Sequence, residues 1–112
     1  MTNIKLGFVG LGQMGQPMAA NIAATQSIFV HDKIGTLGRV PTGATGVEDL
    51  VDVVTAADTI FLSVPDGAVS IEILNSLSHM SDRRVKTIID LSTTGIEASR
   101  EAGQIAADMG IN

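Results

Sequence analysis

Four short apolar runs divide the chain: "IKLGFVG" (4–10), "SIFVHD" (27–32), "TIFLSVP" (59–65) and "KTIIDLS" (86–92). Each is rich in Ile, Val, Phe or Leu and is followed or closed by Gly, Asp, Pro or Ser. None alternates cleanly with polar residues, which is the pattern of strands buried on both faces of a parallel sheet. Between them the apolar residues shift to helical spacing. Met14, Met18, Ala19 and Ile22 share a face in the segment 14–25, where Pro17 is tolerated because it falls in the first turn. Val47, Leu50, Val51 and Val54 do the same across 46–58, and Val69, Ile73, Leu74 and Leu77 across 66–77. The pattern returns across 95–110, with Gly110 as the stop.

The segment 33–45 interrupts this regularity. Gly35, Gly38, Pro41 and Gly43 leave room for a turn or two of helix and a short strand near Ala44. Strand and helix otherwise alternate from end to end. That order predicts one α/β domain of right-handed βαβ units, a doubly wound parallel sheet in three layers.

Composition narrows the function. At 112 residues the chain holds one domain with a core, and 45% hydrophobic residues make it globular. A net charge of −5, with Lys and Arg scattered apart from a small cluster at 83–86, points away from nucleic acid and anionic membrane as partners. There is no cysteine, and His31 and His79 stand far apart, so no metal constellation is expected. No apolar run approaches the about 18 residues of an ordinary membrane-spanning helix. The N-terminus faintly resembles a secretory leader, but Gly10, Gly12, Gln13, Gly15 and Gln16 break its apolar stretch. A cytoplasmic location is the expectation.

The candidate chemistry lies in the first strand-to-helix turn. Gly10, Gly12 and Gly15 form G-x-G-x-x-G directly after a strand and before a helix. Gly10 permits the tight turn, Gly12 lets backbone approach a pyrophosphate, and Gly15 lets the helix pack on the strand. The N–H groups of the helix's first turn, aided by its dipole, then face anionic phosphates. The same glycines also suit a tight turn that holds no ligand. Position favours the cradle: Asp32 follows Gly12 by 20 residues at the end of the second strand. A carboxylate there accepts the ribose hydroxyls of an adenosine and repels a 2′-phosphate. A Rossmann-type dinucleotide site is expected, built from the turn residues Gly10, Leu11, Gly12, Gln13, Met14 and Gly15 together with Asp32. NAD is preferred over NADP. Lys33 adjoins the ribose position; as a cation it would suit a 2′-phosphate, but a solvated surface residue is the preferred reading.

These residues resemble a known family. "GFVGLGQMGQPMAANI" is similar to the N-terminal signature of the β-hydroxyacid dehydrogenases, the group of 3-hydroxyisobutyrate and, more distantly, 6-phosphogluconate dehydrogenase. "FLSVPD" (61–66) and "DLSTTGIEASREAGQIAADMG" (90–110) resemble two further blocks of that family. The resemblance covers essentially the whole chain. It implies that Val64, Pro65 and Val69 line the adenosine side, that Thr93 lies near the nicotinamide, and that Ser92 stands where substrate enters. Each has a plainer explanation: Val64, Pro65 and Val69 as core and helix start, Ser92 and Thr93 as caps of the last helix. Ile96 stands where the family usually carries proline.

The resemblance also implies a helical domain supplying a catalytic lysine, preceded by a substrate-binding block. The chain is expected to be the dinucleotide-binding domain over 1–112, truncated before both. Lys5, Lys33 and Lys86 are misplaced for the lysine's role, so no catalytic residue is assigned. Two functional readings stay open. One is the cofactor domain of an NAD(P)-dependent oxidoreductase that takes a small hydroxyacid in a full-length form. The other is a free-standing module that binds dinucleotide without chemistry. A fragment that binds nothing is the bland third. The strand at 86–92 is expected to form an uncovered sheet edge and to draw copies of the chain into a homo-oligomer.

Overall fold

A computed structural model describes residues 5–12, 15–32, 35, 38–64, 67–80, 83–91 and 96–111, the side chains of 96–98 excepted. Among the described residues five strands and four helices follow in the order β1 (Leu6–Val9), α1 (Gly15–Ala23), β2 (Ile28–His31), β3 (Ala44–Gly46), α2 (Leu50–Ala56), β4 (Thr59–Leu62), α3 (Gly67–Leu77), β5 (Thr87–Asp90) and α4 (Ile96–Asp108). The sheet order is β3-β2-β1-β4-β5 and every pairing is parallel. This is the expected α/β Rossmann-type architecture.

The order explains the position of the site. The chain builds outward from β1 through β2 to β3, then crosses back to add β4 and β5 on β1's other side. The turns after β1 and β4 therefore leave the sheet side by side at the point where the winding reverses. Ligands of open α/β sheets bind there, beyond the carboxyl ends of the strands.

Two apolar layers hold the sheet. On one face Leu6, Phe8, Ile28 and Val30 pack against Ala19 of α1. On the other, Val9, Ile60 and Leu62 pack against Val53 and Val54 of α2 and Leu74 and Leu77 of α3, with Ala102 and Ala106 of α4 completing the cluster. Gly7 permits the close approach of α2: a Cβ there would lie 2.5 Å from Val53 Cγ1.

At the rim where the strands begin, Asp58 ties three strands together. Its N–H donates to the Lys5 carbonyl at 2.8 Å, and its own carbonyl accepts from Lys86 N–H at 2.8 Å. Its carboxylate accepts from Arg84 Nε at 2.7 Å and from Lys5 N–H at 3.2 Å.

Several expectations shift in detail. The strand near Ala44 exists and pairs with β2. It consumes the start of the expected helix 46–58, because Val47 N–H bonds the Val30 carbonyl at 2.9 Å. The helix begins at Leu50 instead, where the Asp52 carboxylate accepts the Asp49 N–H at 3.3 Å. That start turns Val53 and Val54 inward and leaves Val51 40% exposed, so Val51 is not a core residue. The strand at 86–92 is also not buried on both faces. Ile88 joins the α2–α3 layer, whereas Ile89 and Leu91 are 39% and 43% exposed. Helix α1, the cover of the opposite face, packs over β1 and β2 and does not extend to β5.

Candidate functional site

The turn after β1 is closely determined by its neighbours. Gly10 N–H donates to the His31 carbonyl at 2.9 Å, so the turn starts hydrogen-bonded to the end of β2. Its φ of +108° lies in the region that glycine enters without a steric penalty, and a Cβ would collide with the Ser63 carbonyl. Gly10 is thus the close-approach point between the turns after β1 and β4. Gly15 is similarly constrained: a Cβ there would strike the Gly10 carbonyl at the foot of α1. Gln16 reinforces the turn, its N–H bonding the Gly12 carbonyl at 3.0 Å and its amide Nε2 the Leu11 carbonyl at 2.8 Å.

Gly12 differs from both. A Cβ added there would meet no atom within 4 Å, and its φ is not in the positive range. Nothing in the fold demands glycine at this position. The bare backbone faces open space, as close approach of a phosphate group requires.

Asp32 connects the turn to β2. Its Oδ2 accepts the Leu11 N–H at 2.6 Å, a short charge-assisted bond across 21 residues. Its other oxygen, Oδ1, lies 3.4 Å from Arg39 Nη1, with side-chain exposures of 12% for the acid and 31% for the arginine. His31, just before it, is buried, with Nδ1 3.2 Å from the Val47 carbonyl. A carbonyl only accepts, so Nδ1 carries the proton in that bond and pins the end of β2 to the residue after β3.

The sequence candidates therefore fall into three groups. Gly10, Leu11, Gly12, Gly15 and Asp32 meet at one rim: Leu11 bonds Asp32, Gly10 bonds the neighbouring His31, Gly12 bonds Gln16, and Gly15 packs against the Gly10 carbonyl. Val64, half-buried two residues past β4, and Val69, half-buried in the first turn of α3, stand at the same rim beside Ser63. Gln13, Met14, Lys33, Pro65, Ser92 and Thr93 lie outside the described residues. Lys5 and Lys86 are at the opposite rim, held with Asp58, and so are remote from the glycine turn. Among the described residues no cluster of His, Cys, Asp or Glu could hold a metal, and no helix is long and apolar enough to cross a membrane.

Sequence reasoning missed Arg39, which it treated as one of several scattered charges. Gly38, with φ of +74°, precedes it in a turn, and the passage 38–41 then runs along α1 toward β3. Only that return path brings the arginine to Asp32. Its basic character beside the acid was visible in the sequence; the contact was not.

Comparison with known proteins shows the family. Residues 5–112 match the family described as the NAD binding domain of 6-phosphogluconate dehydrogenase. The 2-hydroxy-3-oxopropionate reductase of Escherichia coli (strain K12) is 39% identical over 108 residues, which cover 91% of this chain and 37% of that protein. The 3-hydroxyisobutyrate dehydrogenase of Pseudomonas aeruginosa is 30% identical over 119 residues, covering 99% of this chain and 38% of that one. In fold, the chain superposes on an imine reductase variant from Myxococcus stipitatus in complex with NAD+ with a TM-score of 0.83 at 22% identity, covering 99% of this chain and 39% of that one. The chain spans less than two-fifths of the length of these relatives. It belongs to the NAD-binding domain family of 6-phosphogluconate dehydrogenase, the cofactor domain of the hydroxyacid dehydrogenases.

Proposed function

We propose that the chain is the cofactor-binding part of an NAD(P)-dependent oxidoreductase acting on a small β-hydroxyacid, with NAD the preferred dinucleotide. The observation that carries the reading is the Leu11 N–H to Asp32 Oδ2 bond, which fixes a ribose-binding acid against a turn whose Gly12 faces open space. In this reading Gly10 to Gly15 hold the pyrophosphate, Asp32 accepts the adenosine ribose hydroxyls, and Val64, Pro65 and Val69 form the apolar wall beside the adenosine. Lys33 sits by the ribose, Thr93 near the nicotinamide, and Ser92 near the substrate entry.

The nicotinamide, when bound, accepts a hydride from the hydroxyl-bearing carbon of the substrate. This chain's residues bind and orient it. The hydroxyl proton goes to a lysine of the helical domain that the family resemblance implies, since Lys5 and Lys86 lie at the far rim. A cofactor drawn from the cell's interior accords with a cytoplasmic location. Copies of the chain associate through the β5 edge, where Ile89 and Leu91 are exposed.

Calorimetric titration with NADH and NADPH tests the reading. Binding of both, NADH more tightly, is the expected result. No binding of either at millimolar concentration overturns it.

A further inference from the structure

The preference for NAD rests on the negative charge of Asp32, yet that charge is not isolated. Arg39 lies 3.4 Å from Oδ1, whereas the Leu11 N–H bonds Oδ2. Arg39 also lines a cleft of about 510 Å³ with Gln16, Pro17, Ala20, Val40 and Pro41, between α1 and the passage leading to β3. One side chain thus touches both the ribose acid and an adjoining open volume. A guanidinium carries five donors in a planar fork, and among the described residues the 3.4 Å contact with Asp32 uses little of that capacity.

We infer that Arg39 is a second specificity residue of the adenosine end, one that lets the site accept a ribose carrying a 2′-phosphate as well as a free 2′-hydroxyl. The inference rests on the dinucleotide reading above. With a 2′-hydroxyl, Arg39 stays on Asp32 and the carboxylate takes the ribose. With a 2′-phosphate, the guanidinium turns from the carboxylate to the phosphate, for which its fork gives bidentate, charge-assisted bonds. The phosphate enters the cleft that Arg39 already lines. Asp32 alone would reject NADP strongly; Asp32 with Arg39 rejects it weakly. No covalent step is involved, only an exchange of partners by one cation.

The backbone supports the exchange. Because β3 runs parallel to β2, the chain must travel from the carboxyl end of β2 back to the start of β3. That passage carries Arg39 past the acid on a turn with Gly38 at φ +74°. The arginine is one-third exposed, so it can leave Asp32 without being stripped of water, and the carboxylate, 12% exposed, keeps the Leu11 N–H bond when it does.

The test compares NADH and NADPH binding by calorimetry for the wild-type chain, Arg39→Gln and Arg39→Lys, each checked for folding by circular dichroism. The expected result is an NADPH affinity reduced about tenfold or more in Arg39→Gln, the scale of a lost charged hydrogen bond. NADH affinity stays within about threefold, and Arg39→Lys keeps part of the NADPH affinity because it keeps the charge without the fork. NADPH binding also weakens more steeply with salt than NADH binding in the wild type and loses that excess in Arg39→Gln. An unchanged NADH-to-NADPH ratio in Arg39→Gln overturns the assignment of Arg39 while leaving the dinucleotide reading intact. Failure of the wild type to bind either cofactor overturns both.

Discussion

The Asp32 carboxylate accepts the Leu11 N–H at 2.6 Å, so the last residue of the second strand's apolar run holds the turn that follows the first strand. The anion cradle and the ribose acceptor of the proposed site are thereby one hydrogen-bonded unit. Changing the acid should disturb both. Asp32→Ala is expected to lower NADH affinity roughly 10- to 100-fold, the range for losing bonds to a charged group. NADPH should suffer less, so the gap between the cofactors narrows; parallel titrations of the two measure it.

The glycines of the turn separate structure from binding. Gly12→Ala adds a Cβ into open space at an ordinary φ, so its unfolding free energy should stay within about 1 kcal/mol of wild type. Its NADH affinity should nevertheless fall, because the methyl group occupies the phosphate's approach. Gly15→Ala drives a Cβ into the Gly10 carbonyl and should destabilise the fold by more than about 2 kcal/mol. Urea unfolding of both variants beside NADH titration of Gly12→Ala checks the contrast.

Ser70 presents a different case. It is buried in α3, and among the described residues its hydroxyl has no hydrogen-bond partner. Ser70→Ala removes that unsatisfied group and improves helix propensity. A gain of about 1 kcal/mol in unfolding free energy is expected, seen as a higher urea midpoint at unchanged slope.

At the rim opposite the site, Arg84 holds the Asp58 carboxyl below its ordinary value of 3.8 through a side-chain hydrogen bond. The Lys5 N–H adds to this, and desolvation opposes it. A carboxylate depressed in the folded state contributes stability that is complete above its unfolded value and is lost as pH falls through the lower folded one. The loss therefore begins below about pH 4. Asp58→Asn should flatten the acid limb of the stability curve in that window while leaving NADH affinity at pH 7 unchanged. Raised salt should shrink the difference, since the pair is partly exposed.

The β5 edge offers a test of association. Ile89 and Leu91 leave apolar surface on a strand that pairs only with β4 among the described residues. Light scattering should report a dimer or larger assembly that Ile89→Lys converts to monomer. A wild-type monomer at high concentration contradicts the association.

Much of this organisation was legible in the residues because it depends on local chemistry. The strand, glycine turn and helix from Leu6 to Ala23 need only neighbours in sequence, and Asp32 needs only the length of one βαβ step. The rest depends on contacts that periodicity does not encode. Whether Val51 or Val53 faces inward depends on where α2 starts, and that was decided by Val47 pairing with β2. The exposure of Ile89 reflects which face α1 covers, a matter of sheet order rather than of the strand's own composition. Arg39 reaches Asp32 through a glycine-bearing passage whose course no spacing rule specifies.

The central claim is that the turn after β1 and the acid after β2 form the cofactor site. Amide chemical shifts during NADH titration of the labelled chain test it most directly. The largest changes are expected at Leu11, Gly12, Gln16 and Asp32, with Val64 beside them, and none at Lys5, Asp58 or Arg84. Shifts confined to the Asp58–Arg84 rim, or no shifts at saturating NADH, would contradict it.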